Sequence, residues 1–282
     1  MSEKQRGTER RDWRVAHDGR SLAVVEVTAS HVAPTAPVAL IAHGAGSSAT
    51  FVEAAFAGPL ADAGLRLATY DLRGHGGSQV ARSAEHHHLD VHADDLAAVA
   101  ASLDGEVAVI GGVSLGAHAA VRATSREVVS ARSVLACLPA WTGKAIPGQG
   151  PHAATAVELH RLGVAGVVER LRTEPGLPRW LRETLMADYH RHDPASLIAA
   201  LTSLDGGEAP SRTELSALSV PLAVVGWADD PGHPLEVART WAEAAAEGQL
   251  VVMELAAMDR GVASLGEAAV AALVATGIVS LE

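Results

Sequence analysis

Aromatic side chains are scarce: Phe, Tyr and Trp together make up 3% of the 282 residues. A core must therefore be packed from Ala, Val and Leu. Cysteine is scarcer still. Cys137 stands alone, so an internal disulfide is excluded and a reducing cytoplasm fits. Lysine occurs only at Lys4 and Lys144, and 22 basic residues face 33 acidic ones for a net charge of −11. That balance argues against nucleic acid and anionic membranes, which need clustered positive charge. No apolar run approaches the ~18 residues of a membrane span. The opening MSEKQRGTERRDW lacks the apolar stretch of a secretory signal. There is no Walker loop, and no G-x-G-x-x-G follows the first buried strand, so no cofactor is expected.

What is present is alternation. Residues 1–10 are polar and expected to fray. Trp13–Ala16 and Leu22–Val27 flank Asp18-Gly19, a hairpin signal. Then come short, continuous apolar runs of strand length: VALIA (38–42), LATY (67–70), VAVIG (107–111), SVLAC (133–137), PLAVVG (221–226) and LVVMEL (250–255). Such runs suit strands buried on both faces of a parallel sheet. Segments of helical period separate them at Ala54–Ala63, Val91–Leu103, Leu115–Thr124, Leu235–Ala246 and Ser264–Ala275. This is the βαβ signature of a doubly wound α/β fold.

The alternation stops between Leu138 and Leu218. Four short amphipathic helices are expected there instead, at Ala153–Leu162, Val164–Arg172, Arg179–Tyr189 and Pro194–Leu204. The chain thus divides into a core of residues 1–138 and 219–282 and a helical lid of residues 139–218. A helical insertion between two sheet strands suits a lid over the strand ends, where open sheets bind ligands.

The strongest chemical signal is Gly112-Val113-Ser114-Leu115-Gly116, placed between the run VAVIG and a helical segment. A serine in this strand–turn–helix setting stands on a sharp bend, and small flanking residues let the backbone make it. The N–H of Leu115 then faces the reaction centre from a helix N-terminus, where partial positive charge favours an oxyanion. Two further loops follow strands: His43-Gly44-Ala45-Gly46, and Asp71-Leu72-Arg73-Gly74-His75-Gly76-Gly77-Ser78, the second a structural loop beside the site. Near residue 90, His86, His87, His88 and His92 form a cluster in which His88 and His92 share a helix face. Without a Glu in H-E-x-x-H spacing, a solvated loop is expected there and no metal.

Taken together, the strand-HG loop, the D-x-R-G-H-G-x-S loop, the serine elbow and the inserted helices resemble the α/β-hydrolase superfamily over residues 12–275. The resemblance implies a mostly parallel, doubly wound sheet with an inserted helical lid. It implies a second oxyanion N–H from Ala45, and a Ser, Asp, His triad in chain order. The acid belongs after the strand that follows the lid. Asp230 fits, with Pro231 and Pro234 after it; Asp229 is the neighbour most easily mistaken for it.

The histidine belongs after the last strand, where this chain has Met258-Asp259-Arg260, and no histidine follows His233. His233 is the leading substitute, three residues past Asp230, although Pro231 and Pro234 are expected to restrict its reach. His118, one helical turn past Ser114, and His152, His160, His190 and His192 of the insertion are the others. Arg260 cannot serve as a base, because a guanidinium stays protonated, but it suits a carboxylate or an oxyanion. Its alternative is a surface pair with Asp259. Trp141 and Trp227 are expected as apolar pocket walls, and His43 as a substrate contact or a brace for its own loop.

These features imply hydrolysis of a small apolar ester or thioester through Ser114, with His233 as a displaced base. A missing base would instead favour a lyase or cyclase using the same pocket, or an inactive homologue that binds a small ligand.

Overall fold

The computed structural model describes residues 7–148 and 151–280. Eight strands form one sheet in the order β1-β2-β4-β3-β5-β6-β7-β8. β1 (Thr8–His17) and β2 (Arg20–Ala29) make a hairpin around Asp18 (φ 47°) and Gly19 (φ 66°). Two consecutive positive φ values match the right-handed twist of the flanking strands. The hairpin is longer than expected: Thr8–Arg10, read as frayed, pair with Val27–Ala29. Residues 1–6 of that expectation lie outside the described residues.

β2 runs antiparallel to β4 (Arg66–Tyr70), and every later pairing is parallel. β3 (Val38–Ala42), β4, β6 (Ser133–Cys137) and β7 (Leu222–Trp227) are buried at every position. Helices on both faces produce this burial. α1 (Ala49–Asp62) and α9 (Ala263–Ala275) cover one face, with Phe56, Leu60 and Leu273 against Ile41 and Val225. α2 (Leu89–Ala101), α3 (Leu115–Ser125) and α8 (Leu235–Ala244) cover the other, with Leu96, Val121 and Trp241 against Leu40 and Val224. Fully burying one such aliphatic side chain contributes about 1.5–3 kcal/mol before entropy is counted. β8 (Gly248–Met253) closes the edge and is only half covered.

Between β6 and β7 the chain forms α4 (Pro151–Thr173), α5 (Arg179–Tyr189), α6 (Pro194–Ser203) and α7 (Arg212–Ser216). The two helices expected at 153–162 and 164–172 are both present within α4, which breaks at the non-helical Gly163 (φ 66°, ψ 173°) between them. α7 was not expected. It is a single turn closed by a capping box, in which Ser211 and Glu214 each bond the other's backbone N–H. α5 and α6 dock on the core through polar contacts. Asp188 accepts hydrogen bonds from the hydroxyls of Ser48 (2.6 Å) and Ser47 (3.3 Å), and Asp193 pairs with Arg82 (2.9 Å).

Candidate active site

β5 (Val107–Val113) ends at Ser114, whose φ of 50° and ψ of −114° put a non-glycine residue in a conformation L side chains rarely adopt. The neighbours permit this bend. A Cβ on Gly112 would sit 2.3 Å from the Gly116 carbonyl carbon, and one on Gly116 would sit 2.3 Å from the Ala42 oxygen. Both glycines are thus sterically required. The bend is tied to the sheet by the Ser114 N–H, which donates to Cys137 O at 2.8 Å. Ser114 is partly accessible, in a chain stretch otherwise buried from Ala108 to Val121. The Leu115 N–H is the first amide of α3 and has no carbonyl of its own helix to meet.

The loop after β3 passes directly over this bend. A Cβ on Gly44 would be 3.3 Å from Ser114 Cβ, so Ala45 follows immediately beside the serine. Three histidines hold that loop. His43 accepts the Leu72 N–H (2.9 Å) and donates to Gly44 O (2.7 Å). His75 accepts the Gly46 N–H (3.0 Å) and donates to Arg73 O (3.0 Å). His192, just past α5, accepts the Gly76 N–H (3.0 Å) and donates to Gly46 O (3.2 Å). Each needs one protonated and one bare nitrogen, which only the neutral ring supplies. Burial enforces the same state. It pushes His43 down to about 4, although the charge of Asp71 works against it, and it holds His75 well below the ordinary imidazole range. His43 is therefore a loop brace: fully buried with both nitrogens on backbone, it cannot contact a substrate.

The decisive geometry lies after β7. Asp230–His233 form a four-residue turn, closed by His233 N–H donating to Asp230 O at 3.3 Å. Asp230 Oδ1 also accepts the Gly232 N–H at 2.8 Å. Pro231 takes the second position, where its fixed φ favours the turn. Proline here shapes the loop and does not limit it, contrary to expectation. The turn folds the imidazole back onto its own carboxylate: His233 Nδ1 donates to Asp230 Oδ2 at 2.6 Å, and Nε2 lies 3.1 Å from Ser114 Oγ. Burial raises the Asp230 pKa, but the bond and positive charge of His233 and the Gly232 and His233 amides outweigh it. The carboxyl therefore titrates below its ordinary value and stays ionised at neutral pH.

The other expected contacts fall into different places. Trp227 is buried and sets its ring edge-on to His233, 6.1 Å between centroids, with Trp180 of α5 behind it at 5.7 Å. It backs the imidazole and does not wall the cavity. Trp141 does line a cavity. That cavity has a volume of about 540 Å³ and is bounded by residues 140–142 and 144–146, the turn after β7, α8 and the inserted helices. Ser114 is not among its lining residues; Pro231, Gly232 and Pro234 bring it to the site. Arg260 is exposed on the turn after β8, outside both the Ser114–His233–Asp230 chain and the cavity wall, and forms no ion pair with Asp259. On that turn Met258 is fully buried with Trp227 and Trp180. Asp229 serves the turn too, accepting the Leu255 N–H at 2.9 Å.

His118 is committed elsewhere. It accepts the Ala140 N–H at 3.1 Å and sits between Trp141 and Trp241. The cluster near residue 90 is not a solvated loop: His87 and His92 are buried, with ring centroids 5.7 Å apart. Among the described residues no group of three or more His, Cys, Asp or Glu side chains could hold a metal ion. No helix among them is long and apolar enough to cross a membrane.

A family model described as the alpha/beta hydrolase family matches residues 39–275. The chain belongs to that family. The fold is similar to an enol-lactonase from Burkholderia xenovorans, at 19% identity over 93% of this chain and 100% of that one, TM-score 0.74. It is similar to a bromoperoxidase from Bacillus anthracis, at 17% identity over 93% and 99%, TM-score 0.70. It is also similar to a thioesterase domain of the curacin biosynthetic pathway, at 18% identity over 95% and 99%, TM-score 0.64. No curated protein matches the chain in sequence.

Proposed function

We propose that the protein is a serine hydrolase of small apolar carboxylic esters or thioesters, with Ser114, His233 and Asp230 as its triad. The observation that carries this is the continuous chain from Ser114 Oγ through His233 (3.1 Å) to Asp230 (2.6 Å). A serine with a base and an oriented base is an activated nucleophile. The lactonase and thioesterase among its structural relatives split related bonds.

Ser114 Oγ adds to the acyl carbon as its proton passes to His233 Nε2. Asp230 holds the imidazole by Nδ1 and stabilises the imidazolium. The N–H groups of Ala45 and Leu115 receive the oxyanion. The tetrahedral adduct collapses, its bond to the leaving oxygen or sulfur breaks, and His233 returns the proton to that atom. Water then attacks the acyl-serine with His233 as base, releasing the acid and Ser114. Residues 139–218 serve as the lid over the core of residues 1–138 and 219–282. A lyase, cyclase or inactive homologue would follow from a missing base, and the 3.1 Å contact of His233 Nε2 with Ser114 Oγ favours hydrolysis over them.

Hydrolysis of nitrophenyl acetate tests the proposal. Turnover should be measurable and fall by about 10⁴-fold or more in Ser114→Ala. Equal turnover by that variant overturns it.

A further inference from the structure

We propose that the cavity beside the acid turn receives the leaving group of the substrate, and that this group is a bulky, neutral, apolar alcohol or thiol. The inference rests on the hydrolase proposal and gives the substrate a direction. The proton taken from Ser114 must pass from His233 Nε2 to the departing oxygen or sulfur as its bond to the acyl carbon breaks. That atom therefore lies within hydrogen-bond reach of His233. Its substituent extends to the His233 side of Ser114, while the carbonyl oxygen points the other way, to Ala45 and Leu115.

The His233 side is where the cavity lies. Pro231, Gly232 and Pro234, which bracket the imidazole, form part of its wall. His152, also in the wall, is close enough for its ring to feel the charge of His233. At about 540 Å³ the space falls in the range of roughly 300–1,000 Å³ that encloses drug-sized ligands.

Its lining sets the chemistry. Trp141, Leu204 and Val237 are covered or half-covered and apolar. The charged lining residues, Lys144, Arg212, Asp205 and Glu236, are all exposed, two of each sign. They cancel at the rim, so neither an anion nor a cation is favoured inside. A large apolar substituent gains by leaving water, and such contacts discriminate by about 10–200-fold in hydrophobic pockets.

The test compares three esters whose alcohols have similar acidity: ethyl acetate, naphthylethyl acetate and ethyl naphthylpropanoate. Wild-type kcat/KM should be about tenfold or more higher for naphthylethyl acetate than for the other two. Val237→Trp on α8, which fills the cavity, should abolish that advantage, bringing naphthylethyl acetate to within about twofold of ethyl acetate measured on the same variant; Thr240→Phe, in the same wall, provides a second filling variant. An advantage for ethyl naphthylpropanoate, or one that survives in a folded filled variant, overturns the assignment. Labelling of Ser114 by diisopropyl fluorophosphate separates the two levels. Labelled, active protein without the advantage overturns this inference alone. Absent labelling with no hydrolysis of any ester overturns the hydrolase proposal and this inference together.

Discussion

The turn after β7 and the turn after β8 stand next to each other at one end of the sheet and have opposite characters. The first, Asp230–His233, is half-exposed, polar and closed on itself by backbone and side-chain hydrogen bonds. The second, Leu255–Arg260, turns Met258 into the core beside Trp180 and Trp227. A base needs a hydrogen-bonded, solvated setting to exchange protons, whereas an apolar anchor needs the reverse. On the proposed mechanism acid and base share the first turn, while the second contributes packing. The two are still connected, since Asp229 of the first caps the second through the Leu255 N–H.

The sharpest way to break this contrast is to remove the base. His233→Ala should lower kcat on an ester by about 10⁴–10⁶-fold, with Asp230→Asn near 10⁴-fold, in steady-state assays. Adding a histidine to the second turn should not restore it. Asp259→His and Arg260→His in the His233→Ala background should recover less than about tenfold, because both positions are exposed and outside the triad. Recovery approaching wild type would make the two turns interchangeable.

The packing half of the comparison is read in stability. Met258→Ala should cost about 2–5 kcal/mol, seen as a lower denaturant midpoint with activity per folded molecule retained. Buried histidines sharpen the polar side. Burial pushes His43 and His87 to about 4 and His118 to about 3, against an ordinary value near 6.5. Between about pH 6.5 and 4 the unfolded chain therefore binds more protons than the folded one, and stability rises with pH. The melting temperature should hold steady above pH 7 and drop as pH falls from 6.5 towards 4. A value at pH 5 equal to that at pH 7.5 would contradict this. The smallest effect is expected for Arg260→Ala, within about twofold of wild-type kcat/KM.

The residues differ in how far the sequence announces them. The elbow is legible because its requirement is steric and local: Gly112 and Gly116 leave no room for a Cβ. Asp230 is legible only through the family resemblance, which places an acid after the strand that follows the inserted helices and prolines after the acid. β3, β6 and α5 begin and end where apolar runs and helical period place them. His233 is named by elimination, but its reach depends on how a four-residue turn closes, which composition does not state. The signal available was Asp-Pro-Gly-His itself, a turn sequence that returns residue four towards residue one. His43 and Arg260 show the converse. Both are polar residues on loops after strands, yet one is sealed in by Leu72 and Gly44 and the other faces solvent. Only the three-dimensional packing separates a brace from a contact.

The most direct test is the rate at which a fluorophosphonate labels the protein, with the modified residue located by peptide mass spectrometry. The expected result is a single adduct on Ser114, formed about 10³-fold or more slowly in His233→Ala and not accelerated by the added histidines at 259 or 260. Labelling of Ser114 at an undiminished rate without His233 would contradict the assignment of that imidazole as the base.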